Sequence, residues 1–179
     1  MVEITYFVHA TTTDNIAKRC TGWLQGELSE KGIAQAHVLA ETIKDQEFDV
    51  VISSDLKRAI DSAKINFEGR NIVLKTDSRI RECNYGDYDG GDSKLAVYET
   101  HIVEPFPNGE SMKDVENRIR EFVKFLKENY DGKKVALVAH KAPQLALNVV
   151  LNNMSWESAI ENDWRKTGAW QPGWKFVIK

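Results

Sequence analysis

Two stretches of this chain share one build, and that build limits the folds open to it. Ile4-Thr5-Tyr6-Phe7-Val8-His9 and Val135-Ala136-Leu137-Val138-Ala139-His140 are largely continuous apolar runs, each closed by a histidine. Such a run, rich in β-branched residues, suits a strand covered on both faces. Phe48 to Ser54 is a further short apolar strand ending in small polar residues, and Asn71 to Leu74 reads as a third, extended towards Arg79-Ile80-Arg81-Glu82. Helical patterns lie between them. Ser29 caps a helix running to about Lys44, with Ile33, Ala36, Leu39, Ala40 and Ile43 on one face. Asp55 or Ser54 opens a second helix that carries Arg58 in its first turn. Ser111 caps the clearest helix, on which Met112, Val115, Ile119, Phe122, Leu126 and Tyr130 recur at helical spacing, and Gly132 ends it. Pro143 suits the first turn of a helix through Leu151, Ser155 caps a short one, and Trp174, Phe176 and Ile178 alternate along a closing strand.

Strands alternating with helices predict an α/β fold, with a mostly parallel central sheet and helices on both faces. A length of 179 residues suits a single domain over 1–179, with an irregular, glycine- and proline-marked insertion at about 83–108. A net charge of -3 gives no reason to expect nucleic acid or an anionic membrane as partner. No window has the length and apolarity of a membrane span or a signal core. Cys20 and Cys83 show neither metal-binding nor redox spacing, which suits inert thiols in a reducing cytoplasm. Trp156, Trp164, Trp170 and Trp174 gather late in the chain and read as core and rim packing, since no basic patch accompanies them.

In parallel sheets, ligands bind beyond the carboxyl ends of the strands. His9 follows one strand, Arg58 lies just after a second, Glu82 follows a third and His140 a fourth, so the four are expected on one rim. Two histidines and an arginine form a cationic pocket suited to phosphate, histidine can act as nucleophile, and a carboxylate can protonate a leaving oxygen. A zinc site is the rival for His, His and Glu. The histidines lack close ligand spacing, and Arg58 would repel a dication. Position alone also leaves open that these are ordinary loop residues of an α/β domain.

The motifs, taken in order, resemble those of the histidine phosphatase superfamily, in the phosphoglycerate mutase-like branch that includes small phosphatases. Val8-His9-Ala10-Thr11-Thr12-Thr13-Asp14-Asn15 is similar to its opening Arg-His-Gly-x-Thr-x-x-Asn. Gly22-Trp23, Leu28-Ser29, Gly32 and Gln35-Ala36 come next, and Ser53-Ser54-Asp55-Leu56-Lys57-Arg58-Ala59 resembles its Ser-x-Leu-x-Arg-Ala element. Arg81-Glu82, Gly86, Gly90, Gly109-Glu110-Ser111, Arg118 and Val138-Ala139-His140 complete the series. The resemblance implies a three-layer phosphoglycerate mutase-like fold and a phosphomonoester hydrolase that works through a phosphohistidine on His9. Glu82 would be general acid and then base, and Arg58 and His140 would hold the phosphoryl oxygens. Asn15, Thr12 and Thr21 would add neutral hydrogen bonds. It implies a small phosphorylated metabolite as substrate, no cofactor and no metal, and leaves monomer or homodimer open. Hydrolysis is expected over mutase activity, because Cys83-Asn84-Tyr85-Gly86 stands where mutases carry an Arg-His-Tyr-Gly-like stretch and the insertion is short.

Three positions depart from the pattern: Val8 for arginine, Ala10 for glycine, and Lys141 for the glycine after the second histidine. Losing one preorganised donor at a developing charge costs on the order of 10²–10³ in rate. Another cation could fill that place, with Lys141 first and Arg19 or Lys18 behind it. The alternative is an impaired member that binds a phosphorylated ligand without significant turnover.

Overall fold

The computed structural model describes every residue except Trp170, so the sequence reading of that tryptophan lies outside the described residues. In chain order the elements are β1 (Val2–Val8), α1 (Thr13–Ile16), α2 (Glu30–Thr42), β2 (Val50–Ser53), α3 (Lys57–Asn66) and β3 (Val73–Thr76). After these come α4 (Met112–Asn129), β4 (Lys134–Ala139), α5 (Lys141–Asn152), α6 (Trp156–Glu161), α7 (Trp164–Thr167) and β5 (Trp174–Ile178). The strands form one sheet in the order β3-β2-β4-β1-β5, parallel except for β5, which pairs antiparallel with β1 at an edge. This is the α/β architecture expected, with a mostly parallel sheet between helical layers.

The apolar runs explain the layering. Successive side chains of a strand point to opposite faces, so a run apolar at every position feeds two cores. Ile4, Tyr6, Ile52, Val135 and Leu137 pack with residues of α4, α5 and α6. Phe7, Val51, Ala136 and Val138 face the other way, towards Ile43, Ala63 and Phe67 at α2 and α3. The α4 helix opens with a reciprocal cap: Ser111 accepts from the Asp114 amide, and the Asp114 carboxylate accepts from the Ser111 amide.

Several local expectations are corrected. The third strand spans Val73–Thr76 and does not extend towards Glu82, because the Asp77 carboxylate accepts from the Arg79 amide and turns the chain into a 3₁₀ turn at Ser78–Ile80. Ile33 of α2 is 41% exposed. Its neighbour Gly32 is the buried residue, in a place where a Cβ would stand 2.0 Å from the Thr11 carbonyl oxygen. Helix α3 starts at Lys57 without a side-chain cap from its own N-cap residue; the Lys57 amide donates to Gln25 Oε1 at 3.0 Å. The stretch from 83 to 108 holds three short 3₁₀ turns, Gly86–Tyr88, Ser93–Leu95 and Tyr98–His101. Helix α7 has no counterpart in the sequence reading. Of the late tryptophans, Trp156 is buried and donates to Glu116 at 2.8 Å, while Trp164 and Trp174 stack at 5.7 Å.

Register is what positions the site. Val8 pairs with Ala139 and Ser53 with both Val138 and Thr76, so four parallel strands end level.

Candidate active site

Because β1 and β4 are neighbours in register, the residues just beyond them meet: the rings of His9 and His140 lie 5.0 Å apart between centroids. The His9 amide donates to the Ala139 carbonyl at 2.9 Å. Its ring Nδ1 lies 2.8 Å from the Ala10 carbonyl oxygen. A carbonyl can only accept, so Nδ1 carries the proton and Nε2 keeps its lone pair. Burial, with the Arg58 cation behind it, pulls the His9 pKa from 6.5 down to about 3. The result is a neutral imidazole with one unprotonated nitrogen on a cleft of about 1030 Å³ that His9 helps to line. The loop beyond it is tied down, as the Ala10 amide donates to Ser62 Oγ and Thr11 accepts from the capping hydroxyl of Ser29.

His140 is 0% exposed, and neither ring nitrogen has a partner among the described residues. Burial holds its pKa well below 6.5, with Arg58 and then His9 adding to the effect, so this ring too is neutral. Its backbone is fixed from the neighbouring strand: the Tyr6 hydroxyl donates to the His140 carbonyl at 2.7 Å and accepts from the His140 amide at 2.9 Å. An unpartnered buried polar group costs about 1–3 kcal/mol.

Arg58 comes from the first turn of α3 and is 1% exposed. It pairs with no carboxylate among the described residues; instead Nη2 donates to the Gly22 carbonyl at 2.8 Å and Nη1 to that of Leu24 at 2.6 Å. Gly22 holds φ at +50°, and a Cβ there would collide with the Asp89 carboxylate, so glycine is required for the carbonyl to turn towards Arg58. Burial lowers the pKa of Arg58 from its ordinary value, yet a guanidinium does not deprotonate in a protein.

Glu82 sits across the cleft as a buried acceptor. Oε1 takes bonds from the amides of Cys83 (2.9 Å) and Ala142 (3.0 Å) and from the Tyr98 hydroxyl (3.2 Å), and Oε2 from the Lys141 amide (3.2 Å). The carboxylate therefore rests on the amino end of α5, directly after His140. Its backbone is clamped by Arg118, which donates to the carbonyls of Arg79, Arg81 and Glu82 while pairing with Glu110. Trp23 Nε1 also donates to the Glu82 carbonyl, at 2.8 Å.

The remaining sequence candidates divide. Asn15, Arg19, Thr21 and Lys141 line the cleft with His9, Arg58 and Glu82. Thr12 does not: it is buried, and its hydroxyl accepts from the Asn15 amide as the cap of α1. Thr21 Oγ1 donates to Asp14 at 3.1 Å. Lys141 Nζ lies 3.2 Å from Asp163 and 4.3 Å from the centre of the Tyr98 ring. His101 stacks on Phe106 at 3.8 Å and is not among the lining residues. Sequence reasoning missed Tyr98, Tyr85, Trp164 and Arg165, which also line the cleft. It missed Tyr6 and Asp163, which hold His140 and Lys141 from behind. For Asp163 the available signal was an acid capping a last short turn with two basic residues after it.

A neutral histidine, an arginine free of carboxylates and a buried glutamate line one cleft at the carboxyl edge of a parallel sheet, and a second histidine, unpartnered among the described residues, lies buried against the first. The model of the histidine phosphatase superfamily (branch 1) matches residues 6–170. The chain belongs to that superfamily. Among curated members, phosphoserine phosphatase 1 of Hydrogenobacter thermophilus is 32% identical over 162 residues, covering 84% of this chain and 76% of that protein. A probable phosphoglycerate mutase, GpmB of Yersinia pestis, is 30% identical over 164 residues, covering 86% and 75%. Among solved structures, mycobacterial glucosyl-3-phosphoglycerate phosphatase with VO3 superposes with a TM-score of 0.76 at 30% identity, covering 88% of this chain and 85% of that one. Superfamily members of both kinds, phosphatases and mutases, are therefore among the relatives.

Proposed function

We propose that this member of the superfamily is a metal-independent phosphomonoesterase acting on a small phosphorylated metabolite. The observation that carries the reading is the state of His9: Nδ1 is committed to the Ala10 carbonyl, and Nε2 is unprotonated, its lone pair free, in a ring that lines the cleft.

His9 Nε2 attacks phosphorus as the bond to the leaving oxygen breaks, and Glu82 acts as the general acid, giving a proton to that oxygen and becoming the carboxylate. Glu82 then takes a proton from water as the water oxygen attacks the phosphohistidine. The P–N bond breaks, inorganic phosphate leaves, and His9 and Glu82 return to their starting states. Arg58 and His140 meet the phosphoryl oxygens as charge shifts onto them, and Asn15, Thr21, Arg19 and Lys141 line the approach. Hydrolysis is favoured over mutase transfer because the short turns of 86–101 leave the cleft wide enough for water beside the substrate. The name of the phosphoserine relative supports a phosphatase, and that of GpmB keeps mutase transfer as the competing activity to assay.

A second reading, binding with little turnover, is favoured by one observation: Val8, an apolar residue beside His9, lines the cleft where the family's pattern has an arginine. Phosphate release from an aryl phosphate by the wild type and by His9→Ala separates the two. Turnover that disappears in His9→Ala supports the hydrolase. No turnover in either protein supports the binding reading, and equal turnover in both would sink the phosphohistidine route.

A further inference from the structure

The phosphoryl end of the cleft is short of one positive charge. A phosphate monoester carries up to two negative charges at neutral pH. Against it stand two neutral imidazoles and one guanidinium, that of Arg58. The Arg58 charge is also partly spent on the Gly22 and Leu24 carbonyls. A buried charge without a partner is costly, so a second cation is needed if a dianion is to bind there.

The cleft wall opposite contains one. Asp163, whose side chain is 0% exposed, caps α7 and holds two cations: Arg165 Nη1 at 2.9 Å from Oδ1 and Lys141 Nζ at 3.2 Å from Oδ2. Two cations on one carboxylate leave a surplus of one positive charge, and both cations line the same cleft as His9. They are not equivalent. Lys141 is drawn over the Tyr98 ring, on the Glu82 side. Arg165 lies over its neighbour Trp164, with the guanidinium carbon 4.4 Å from the ring centre, and Trp164 stacks on Trp174 of the edge strand that pairs with β1. That stack places α7 on the β1 side of the cleft, where His9 emerges. The Arg165 charge contributes to lowering the His9 pKa, whereas Lys141 is not among the causes.

We infer that Arg165, carried on α7 and oriented by the buried Asp163, is the second cation of the phosphoryl site and binds a phosphoryl oxygen of the substrate opposite Arg58. The inference rests on the proposed reading of the cleft as a phosphoryl site, and it differs from the sequence expectation, which puts Lys141 first with Arg19 or Lys18 behind it. A planar guanidinium can give two parallel N–H bonds to one phosphoryl group, which an ammonium cannot.

The test uses the full chain with Arg165→Ala and Arg165→Lys, two readouts, and thermal melts to confirm folding. In the first readout, titration of inorganic phosphate by calorimetry, Arg165→Ala is expected to bind about tenfold to 10²-fold more weakly, with Arg165→Lys in between. In the second, turnover of an aryl phosphate, Arg165→Ala is expected to lose about 10²-fold in kcat/KM, with partial rescue by added guanidinium. Phosphate affinity within twofold of wild type in a folded Arg165→Ala would overturn the inference, whatever the turnover. Should Arg165→Ala not fold, wild-type phosphate affinity in Arg165→Lys and in Arg165→Met would overturn it equally. Because the titration needs no turnover, it judges Arg165 even if the wild type proves not to hydrolyse, an outcome that counts against the hydrolase reading alone.

Discussion

The cleft has two walls, and they are held by opposite means. On one wall, His9 and His140 come directly after adjacent strands whose hydrogen bonds set their spacing. Among the described residues the His140 ring has no partner, and the Arg58 side chain, from the helix after a third strand, bonds only backbone carbonyls. On the other wall nothing is set by the sheet. Glu82, Tyr98, Lys141, Asp163 and Arg165 hold one another: the Tyr98 hydroxyl bonds Glu82, the Tyr98 ring lies under Lys141, and Asp163 joins Lys141 to Arg165. The first wall keeps His9 Nε2 and both His140 ring nitrogens without partners among the described residues, in a frame fixed by backbone bonds, which preorganises it for an anion. The second holds its groups through one another, with two cations on one carboxylate, so each group there depends on its neighbours. Mutations should therefore act singly on the first wall and through partners on the second.

Glu82→Gln offers the largest contrast. An amide oxygen at Oε1 can still accept from the Cys83 and Ala142 amides, while the NH2 loses the bond from the Lys141 amide, so the fold should survive at the cost of one hydrogen bond. Proton delivery should not. General acid–base groups contribute about 10²–10⁴-fold, and kcat is expected to fall by that range with a thermal midpoint near wild type. The loss should be smallest for substrates whose leaving group needs no proton, such as a nitrophenolate. An equal loss for good and poor leaving groups would remove Glu82 from the role of acid.

The first wall answers to pH. The folded chain keeps His9 neutral down to about pH 3, whereas the ordinary value is 6.5. Between those values the unfolded chain binds a proton that the folded chain refuses, so stability is full above pH 6.5 and declines as pH falls through the window. At pH 5 one such histidine accounts for up to about 2 kcal/mol, and His140 adds in the same direction. Urea melts of wild type and His9→Ala at pH 7.5 and 5 measure this, and the variant should lose less stability on acidification. The same shift keeps the proposed nucleophile, His9, unprotonated in the free chain at pH 5, so an acid limb of kcat/KM near pH 6.5 would have to come from another group or from the substrate.

The two walls also differed in how far the sequence disclosed them. His9 and His140 were legible because an apolar run specifies a buried strand, and parallel strands deliver the residues at their carboxyl ends to one rim. Arg58 was legible as a helix-start residue after such a strand. Glu82 was placed on the right rim for a wrong local reason, since β3 ends at Thr76 and a 3₁₀ turn carries the chain on to it. Thr12 was taken for a ligand group because a hydroxyl in the first loop serves a helix cap as readily as a ligand, and here it caps α1. Tyr98 and Arg165 were not legible. Neither the turns of 83–108 nor the four-residue α7 has a hydrophobic period, and their positions are decided by tertiary partners far away in sequence. The second wall becomes readable only once Asp163, Lys141 and Arg165 are seen in space.

Tyr98→Phe is the smallest change and the sharpest probe of that second wall. It removes one hydroxyl, which donates to Glu82 at 3.2 Å and lies 2.8 Å from that of Tyr85, while leaving the ring beneath Lys141. Glu82 keeps its three amide donors, so the direct loss is one hydrogen bond of about 1 kcal/mol, or roughly fivefold in kcat/KM. The buried Tyr85 hydroxyl loses its partner as well, which should lower stability by about 1–3 kcal/mol. Tyr98→Leu removes the ring too and frees Lys141 from its place. If the second wall is a mutually supporting set, Tyr98→Leu combined with Arg165→Lys should lose more activity than the two single losses together predict, because both residues reach Asp163, one of them through Lys141. Additive losses would mean that Glu82 and Arg165 are positioned independently, and that the second wall, like the first, is a frame whose groups act alone.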